Sequence, residues 1–351
     1  MMEQNKKKII RSKTPLRLGL AGGGTDVSPF CDEHGGCVLN VTINMYSYCT
    51  LKPLKNGKIV FISPDRNEKI EYDLVQKLPI DKGLPLHCGI YNRIVKDFNN
   101  NIPLSFEMTT YSDAPAGSGL GTSSTMVVTI LKAYIEWLNL PLGEYDIAQL
   151  AFDIERNDLK FAGGKQDQYA ATFGGLNYME FYDNNRVIVN PLRMKKWIRN
   201  EMENSIVLYY TGTSRDSGKI IQEQTKATKN EKSLEAMFKI KEQTSMMKEC
   251  ILKGDFHGIA ECLHQNWIEK KKTASIISNP EIEETYNFIM EHGGKAAKIS
   301  GAGGGGFMII WCDPQKRYEL IHALKNRQEG KTKVVDFVEN GTQAWTIYDE
   351  D

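Results

Sequence analysis

The sequence lacks the features that direct a protein to a membrane or to nucleic acid. No apolar run approaches the ~18 residues of a transmembrane helix, and the basic start MMEQNKKKIIRSK lacks the apolar stretch of about 7–15 residues of a secretory signal. The 44 basic and 44 acidic residues cancel, so no overall field attracts polyanions. We therefore expect a cytoplasmic protein with no membrane partner and no nucleic-acid partner.

Transition-metal sites and disulfides are poorly supported as well. The seven cysteines form no CxxC pair, and the six histidines form no HExxH cluster. Free thiols are the favoured interpretation. The length of 351 residues favours two domains.

Two familiar nucleotide signatures are missing. There is no GxxxxGK[ST] loop. Gly301, Gly303 and Gly306 satisfy a literal GxGxxG, but the residues that follow, FMIIWC, are typical of a strand and not of a helix. We therefore exclude a dinucleotide-binding domain of the Rossmann type.

The first part of the chain is mostly strand-like, with helices after a glycine-rich loop. TPLRLGLA, CVLNVTINMYSYCTL and LSFEMTT predict strands, the last at Leu104 to Thr110. Apolar residues at helical spacing predict a helix from Thr122 to Leu138. A second helix is expected from Tyr145 to Asn157 and a short one in KQDQYAATF, followed by strands LNYMEF and RVIVNPL.

The pattern becomes polar between Lys195 and Asn204, and we place the domain boundary there. Beyond it we expect strand SIVLYYT, long helices between Gly218 and Met290, strands AAKIS and FMIIWC, a helix from Tyr318 to Lys325, and strand KVVDFV. This β-α-β-β-α-β order is the split form of a ferredoxin-like layer.

The segment PAGSGLGTSST has the composition of a phosphate-binding loop. Glycines allow the backbone to approach a ligand closely, and the N–H groups at a helix start favour anions. Thr122, Ser123 and Ser124 supply hydroxyls in the first turn, where one could ligate Mg²⁺. Taken alone, the segment is also compatible with an ordinary glycine-serine loop that caps a helix.

Two carboxylates could complete such a site. Glu155 precedes Asp167 by twelve residues, and Asp167 follows closely after Lys165 in GGKQDQY. One carboxylate can accept the proton of an attacking hydroxyl, and the other can hold the metal that bridges the phosphates. From spacing alone, a surface glutamate and a helix-capping aspartate remain the alternative.

Three motifs that follow one another along the chain resemble those of the GHMP kinases, and the resemblance covers nearly the whole chain. The middle motif, P-x-x-x-G-L-x-S-S, is matched by Pro115, Gly119, Leu120, Thr122 and Ser123, with threonine in place of the first serine; the third is KISGAGGGGF, Lys298 to Phe307. The resemblance implies an α+β, two-domain fold: a ribosomal-protein-S5-like α/β domain at residues 1–197 and a ferredoxin-like domain at 198–351.

The resemblance also implies roles for single residues. Asp167 would be the catalytic base, with Arg17 or Lys165 stabilising charge nearby, and Ser123 and Glu155 would bind Mg²⁺. ATP would lie against a set of loop residues: Pro115, Gly117, Ser118, Gly119, Leu120, Gly121, Thr122, Ser123, Ser124 and Gly303. The other glycines between Gly301 and Gly305 would brace this loop.

The amino-terminal motif bears on the acceptor. In galactokinase-like enzymes this motif has a Gly-Glu-His-Thr-Asp run that touches the sugar, so the resemblance implies that Gly23, Gly24, Thr25 and Asp26 of PLRLGLAGGGTD contact the acceptor. Gly23 and Gly24 replace the Glu-His pair, which argues against galactose itself. This form, with GGKQDQYAATFGG, most resembles the branch that phosphorylates D-glycero-D-manno-heptose 7-phosphate to the 1,7-bisphosphate. A fucokinase-like enzyme, an isoprenoid-branch alcohol kinase and a non-catalytic sensor of ATP and sugar are the alternatives.

A sugar phosphate as small-molecule partner requires a site for its distal phosphate. Arg215, with Ser214 and Ser217 beside it, is the first candidate, because a guanidinium pairs two phosphate oxygens at once. The run Lys270 to Lys272 is the second. A helix-capping or surface role for Arg215 is the alternative.

Overall fold

The computed structural model describes residues 7–212, 217–227, 230–327 and 331–349. Its strands are β1 Lys7–Ala21, β2 Gly36–Pro53, β3 Lys58–Ser63, β4 Glu68–Asp73, β5 Phe106–Ser112, β6 Leu176–Phe181, β7 Val187–Pro191, β8 Ile206–Tyr210, β9 Gly294–Ile299, β10 Phe307–Cys312, β11 Lys331–Lys333 and β12 Gln343–Asp349. Its helices are α1 Phe30–His34, α2 Pro85–Phe98, α3 Thr122–Leu138, α4 Glu144–Phe152, α5 Gln166–Phe173, α6 Lys196–Ser205, α7 Ser217–Ala227, α8 Glu231–Lys253, α9 Phe256–Thr273, α10 Pro280–Glu291 and α11 Arg317–Lys325.

The first sheet is built around two long antiparallel strands, β1 and β2. Its main path is β12-β1-β2-β5-β3-β4, and β6 with β7 extends it from the first part of β2. Every residue of β1 from Thr14 to Ala21 is buried, and three helices, α3, α8 and α9, contact the strand. Burial on both faces explains why this strand shows a nearly continuous apolar run in place of alternation.

The second sheet has the order β11-β8-β10-β9, and all of its pairs are antiparallel. Helices follow β8, and α11 follows β10, so the chain runs β-α-β-β-α-β with extra helices inserted. The predicted ferredoxin-like arrangement is confirmed. One apolar core joins this sheet to the first: Leu16 and Ile43 of the first sheet belong to the same cluster as Leu208 and Trp311 of the second.

Several element predictions are confirmed to the residue. The helix Thr122–Leu138 and the strands LNYMEF and FMIIWC have the predicted bounds. Since FMIIWC is a strand, the glycine-rich stretch before it does not open a helix, and the exclusion of a Rossmann domain is confirmed.

Two predictions differ from the structure. The helix expected to end at Asn157 is α-helical only to Phe152 and continues as a π-helical turn, Asp153–Asp158. The prediction of a strand at KVVDFV is wrong, because β11 ends at Lys333 and Phe337 makes only an isolated bridge to Ile43. The strand that follows, β12, was not predicted, and it pairs with β1 over seven residues.

The domain division at residue 197 stays a prediction, although two observations bear on it. Helix α6 spans the predicted boundary and places Ile198 and Met202 in the shared core. Strand β12 returns the end of the chain to the first sheet. Within the described ranges, no helix combines the length and the apolar character needed to cross a membrane.

Candidate active site

A cavity of about 610 Å³ lies where the glycine-rich segments of the two sheets meet. It is bounded by the start of α3, the π-helical turn, the start of α5, helix α7 and the end of α9. Among the described residues, five cationic side chains and three carboxylates line it: Arg17, Arg156, Lys160, Lys219, Lys270, Asp26, Glu155 and Asp167. A chain without net charge thus concentrates positive charge where an anion would bind.

The predicted phosphate loop forms one wall of this cavity. Gly121 is the N-cap of α3 with φ 75°, and Thr122, Ser123 and Ser124 of the first turn line the cavity. The N–H groups of a first helical turn have no partner within the helix and favour an anion. The loop residues that line the cavity are Gly117, Gly119, Gly121, Thr122, Ser123 and Ser124.

Four predicted ATP contacts do not line the cavity. Leu120 is fully buried in the shared core, and the buried Ser118 hydroxyl lies 3.1 Å from the Thr122 hydroxyl. Pro115 is exposed, and its carbonyl accepts the Ser118 N–H at 3.2 Å. Gly303 is buried against Ile277, which a Cβ at this position would approach to 2.9 Å. These residues shape the loop, and their predicted contact with ATP has no support in this geometry.

The second glycine-rich loop braces the first at close range. A Cβ on Gly119 would lie 2.3 Å from the carbonyl oxygen of Ser300, and one on Gly306 would lie 2.4 Å from that of Ser118. The Ser300 hydroxyl donates to the Gly119 carbonyl at 2.9 Å, and the Phe307 N–H donates to the Ser118 carbonyl at 2.8 Å. Only glycine allows this approach, because both positions have positive φ and backbone as the neighbour.

Arg17 of β1 holds Asp167 against the phosphate loop. Its Nε and Nη2 lie 2.7 and 2.6 Å from Asp167 Oδ1, and its Nη1 donates to the Gly119 carbonyl at 2.6 Å. The Arg17 side chain is only 3% exposed, whereas that of Asp167 is 22% exposed to the cavity. The buried Arg17 thus fixes the position of Asp167 Oδ1, and the Asp167 Oδ2 has no hydrogen-bond partner in the described part of the chain.

Ser123 and Glu155 are brought together as predicted. The Ser123 hydroxyl donates to Glu155 Oε1 at 3.1 Å, and Gln168 donates to Oε2 at 2.6 Å. Glu155 is 1% exposed and lies in the π-helical turn, a feature often found at functional sites. No group of three His, Cys, Asp or Glu side chains that could hold a metal occurs in the described ranges. Two hard oxygens beside an anion site suit Mg²⁺, which usually takes one or two protein ligands together with substrate phosphates.

The GGGTD turn is held by its own polar groups. Asp26 is buried and accepts from the Gln166 N–H at 3.0 Å and from the Gly24 N–H at 3.2 Å. Asp26 and Gly24 line the cavity. Thr25 is fully buried, and its hydroxyl bonds to the carbonyls of Gly22 and Cys37. Thr25 thus stabilises the turn, contrary to the predicted contact with the acceptor.

Lys165 lies apart from the proposed base. Its Nζ is 3.4 Å from Asp32 Oδ1 and 5.9 Å from the centre of the Phe152 ring. It lines a neighbouring recess and not the main cavity. The structure therefore separates Lys165 from Asp167, although the two are close in sequence. Arg215 and Ser214 lie outside the described residues.

Only the first lysine of the run Lys270 to Lys272 faces the cavity. Lys271 pairs with Glu283 and Lys272 with Glu269. The buried Lys270 Nζ donates to the carbonyls of Gly301 at 2.7 Å and Gly23 at 3.3 Å, and so links the two glycine-rich segments. Burial lowers the pKa of Lys270 to about 8. In the sequence, Lys270 is one of three consecutive lysines, and this pattern does not distinguish it from Lys271 and Lys272.

Comparison with known proteins agrees with this geometry. The family model described as GHMP kinases N terminal domain matches residues 85–175, and the one described as GHMP kinases C terminal matches residues 247–330. The D-glycero-alpha-D-manno-heptose 7-phosphate kinase of Campylobacter jejuni is 52% identical over 340 residues, which cover 97% of this chain and 100% of that protein.

One solved structure and one more distant curated relative are also similar to this chain. The crystal structure of a D-glycero-D-manno-heptose 1-phosphate kinase from Bacteroides thetaiotaomicron has 45% identity and a TM-score of 0.83, and the match covers 97% of this chain and 100% of that one. The L-fucokinase/L-fucose-1-P guanylyltransferase of Bacteroides fragilis is 26% identical over 90% of this chain and 36% of its own length.

The fold and the site define a phosphotransferase that acts on an alcohol group. More particularly, the chain belongs to the GHMP kinases and is a sugar kinase. The resemblance inferred from the three motifs is confirmed, and the family implies the use of ATP.

Substitution of Gly119 tests the contact between the two loops. Gly119→Ala should raise the KM for ATP by about tenfold or more and lower Tm, because the new Cβ would meet the Ser300 carbonyl at 2.3 Å. Gly57→Ala is the matched control, since Gly57 has φ +71° with no atom within 4 Å of its Cβ position. ATP titrations and thermal unfolding of both variants decide the point, and equal behaviour of the two would show that positive φ alone matters.

Proposed function

We propose that this sugar kinase transfers the γ-phosphoryl group of ATP to the anomeric hydroxyl of D-glycero-D-manno-heptose 7-phosphate, giving the 1,7-bisphosphate. The chemistry rests on one observation: a partly exposed carboxylate, Asp167, is fixed beside the N-terminus of α3 by Arg17. The choice of sugar rests on the 52% identity to a relative whose name gives a heptose 7-phosphate as its substrate.

Asp167 is the proposed base. Two Arg17 nitrogens fix its Oδ1, and Oδ2 remains to accept the proton of the attacking hydroxyl. A base must lie within hydrogen-bond reach of the proton that it removes, so rigid placement of this oxygen favours catalysis. The guanidinium also holds the Gly119 carbonyl, so it keeps the base and the phosphate loop in register.

The start of α3 is the proposed site for the ATP phosphates. Its unsatisfied N–H groups and its dipole favour negative charge, and the glycines before it leave the backbone accessible. Ser123 and Glu155 are the proposed ligands of Mg²⁺, which when bound neutralises charge on the phosphate oxygens. Gln168 orients Glu155 by its hydrogen bond to Oε2. Positioning and fixed charges of this kind account for most of the acceleration in phosphoryl transfer.

The acceptor is tested with a coupled assay of ADP release. Heptose 7-phosphate should exceed free heptose, fucose, galactose and mevalonate by at least about tenfold in kcat/KM, since one buried charge-assisted contact is worth that much. Phosphorus NMR of the product should show a phosphate on the anomeric carbon. Preference for fucose would favour a fucokinase-like activity, and use of heptose 1-phosphate as the acceptor would contradict the proposed site of transfer.

The base is tested by Asp167→Asn. This variant should bind ATP nearly as the wild type does and lose about 10²–10⁴ in kcat, the usual contribution of general-base assistance. Asp158→Asn is the control, because Asp158 pairs with Arg93 on the surface outside the cavity. A kcat within about threefold of wild type for Asp167→Asn would remove Asp167 from the mechanism.

The metal ligands are tested by Mg²⁺ titration. Ser123→Ala and Glu155→Gln should each raise the Mg²⁺ concentration for half-maximal rate, because each removes or weakens a hard oxygen ligand. The double variant should show less than the product of the two single effects, since both side chains would serve one ion. Unchanged titrations in both single variants would contradict the assignment.

A further inference from the structure

A second recess of about 430 Å³ opens beside the main cavity. The two share a wall that includes Asp26, Arg156, Gly163 and Gln222. Beyond this wall the recess is lined by Phe152, Lys165 and Lys226 among others. The cavity that holds the proposed base and this basic recess are therefore adjacent, and Arg156 lines both.

Arg156 stands at the junction with most of its donors unused. Its side chain is 13% exposed, and its buried Nε has no hydrogen-bond partner among the residues that the structure describes. Its Nη2 makes one long bond, 3.4 Å to the Gly164 carbonyl, and Nη1 lies 3.7 Å from Glu155 Oε1. Buried polar groups are normally paired. Since Nε is covered by protein, Nη1 and Nη2, which make only these long contacts, are the donors left for an anion at the cavity wall.

The neighbouring glycine keeps room for this side chain. A Cβ on Gly163 would lie 2.2 Å from Arg156 Nη2 and 2.4 Å from its Cζ. The backbone of the GGKQ segment therefore lies directly against the guanidinium plane. The arginine is held in position by this contact and by the π-helical turn that carries it.

We infer that Arg156 binds the distal phosphate of the acceptor, with the second recess as its compartment. This inference rests on the proposed function and assigns the residue that selects a phosphorylated sugar. A guanidinium pairs two phosphate oxygens at once, and a desolvated cation gains more from such a contact than an exposed one.

The other cations of the recess are weaker candidates for this contact. Lys165 Nζ already pairs with Asp32, and Lys226 is exposed in the last turn of α7. The carboxylate of Asp26 also faces the recess, but three N–H donors from Gly24 and Gln166 already bind it. Lys165 and Lys226 raise the local positive potential, while Arg156 supplies the directional contact.

The test compares acceptors with and without the distal phosphate. In Arg156→Met, kcat/KM for heptose 7-phosphate should fall by at least about tenfold, whereas that for free heptose should change by less than about threefold. Arg156→Lys should lie between wild type and Arg156→Met, because it keeps the charge and loses the fork. Arg186→Met is the matched control, since Arg186 is exposed over the Tyr182 ring and lines neither compartment.

Two further measurements separate this role from an effect through the neighbouring Glu155. The KM for ATP and the Mg²⁺ concentration for half-maximal rate should stay within about twofold of wild type in both Arg156 variants. Calorimetric titration with heptose 7-phosphate in the absence of ATP should show a Kd raised by about tenfold or more in Arg156→Met. The Arg156→Lys variant provides the same comparison if Arg156→Met does not fold.

The outcomes distinguish the inference from the proposed function. If the wild type prefers heptose 7-phosphate and Arg156→Met keeps that preference, the inference is overturned and the proposed function stands. Equal losses for both acceptors, or a shifted Mg²⁺ titration, also overturn it, because Arg156 would then act through the metal site. A wild type that uses both acceptors equally overturns the proposed function and the inference with it.

Discussion

The guanidinium of Arg17 joins parts of the chain that are far apart in sequence. It leaves β1 in the first sheet, binds Asp167 at the start of α5 and the Gly119 carbonyl in the phosphate loop, and lies 3.4 Å from the Ser300 hydroxyl. A buried cation is tolerated only when its donors are satisfied, and here one carboxylate and two other oxygens satisfy them. Because the same group binds the proposed base and the phosphate loop, a single planar side chain fixes the position of one relative to the other.

The shared apolar core makes this precision possible. Leu120 follows directly on Gly119 and is fully buried in the cluster that unites the two sheets, so the loop is anchored by packing at one residue and open to the cavity at its neighbours. The second glycine-rich loop is fixed in the same way, since β9 and β10 on either side of it are almost entirely buried. The loops of the site are rich in glycine, but Leu120 anchors the first loop in the core and the buried strands β9 and β10 flank the second.

Local patterns predicted what local forces determine. The helix Thr122–Leu138 follows from apolar spacing and a glycine at its start. The pairing of Ser123 with Glu155, in contrast, was implied only by the family resemblance. Strand β12 escaped prediction because its stability comes from pairing with β1 at the other end of the chain. Consecutive side chains on a regular α-helix point about 100° apart. The sequence therefore contains no indication that Glu155 and Arg156 both line the cavity, as they do in the π-helical turn. The position of Lys270 in the cavity could not be predicted either, because only tertiary packing distinguishes it from Lys271 and Lys272.

The buried Lys270 has a consequence for the energetics of the whole chain. Its pKa is lowered by burial from the ordinary value of 10.5 to about 8, so between these values the unfolded chain binds more protons at this residue than the folded one does. The contribution of this group to the free energy of unfolding therefore rises with pH across that window and is lost as pH falls through about 8. At neutral pH the protein thus keeps a buried charge where its own stability would favour a neutral group, and this cation links the two glycine-rich segments through the carbonyls of Gly23 and Gly301.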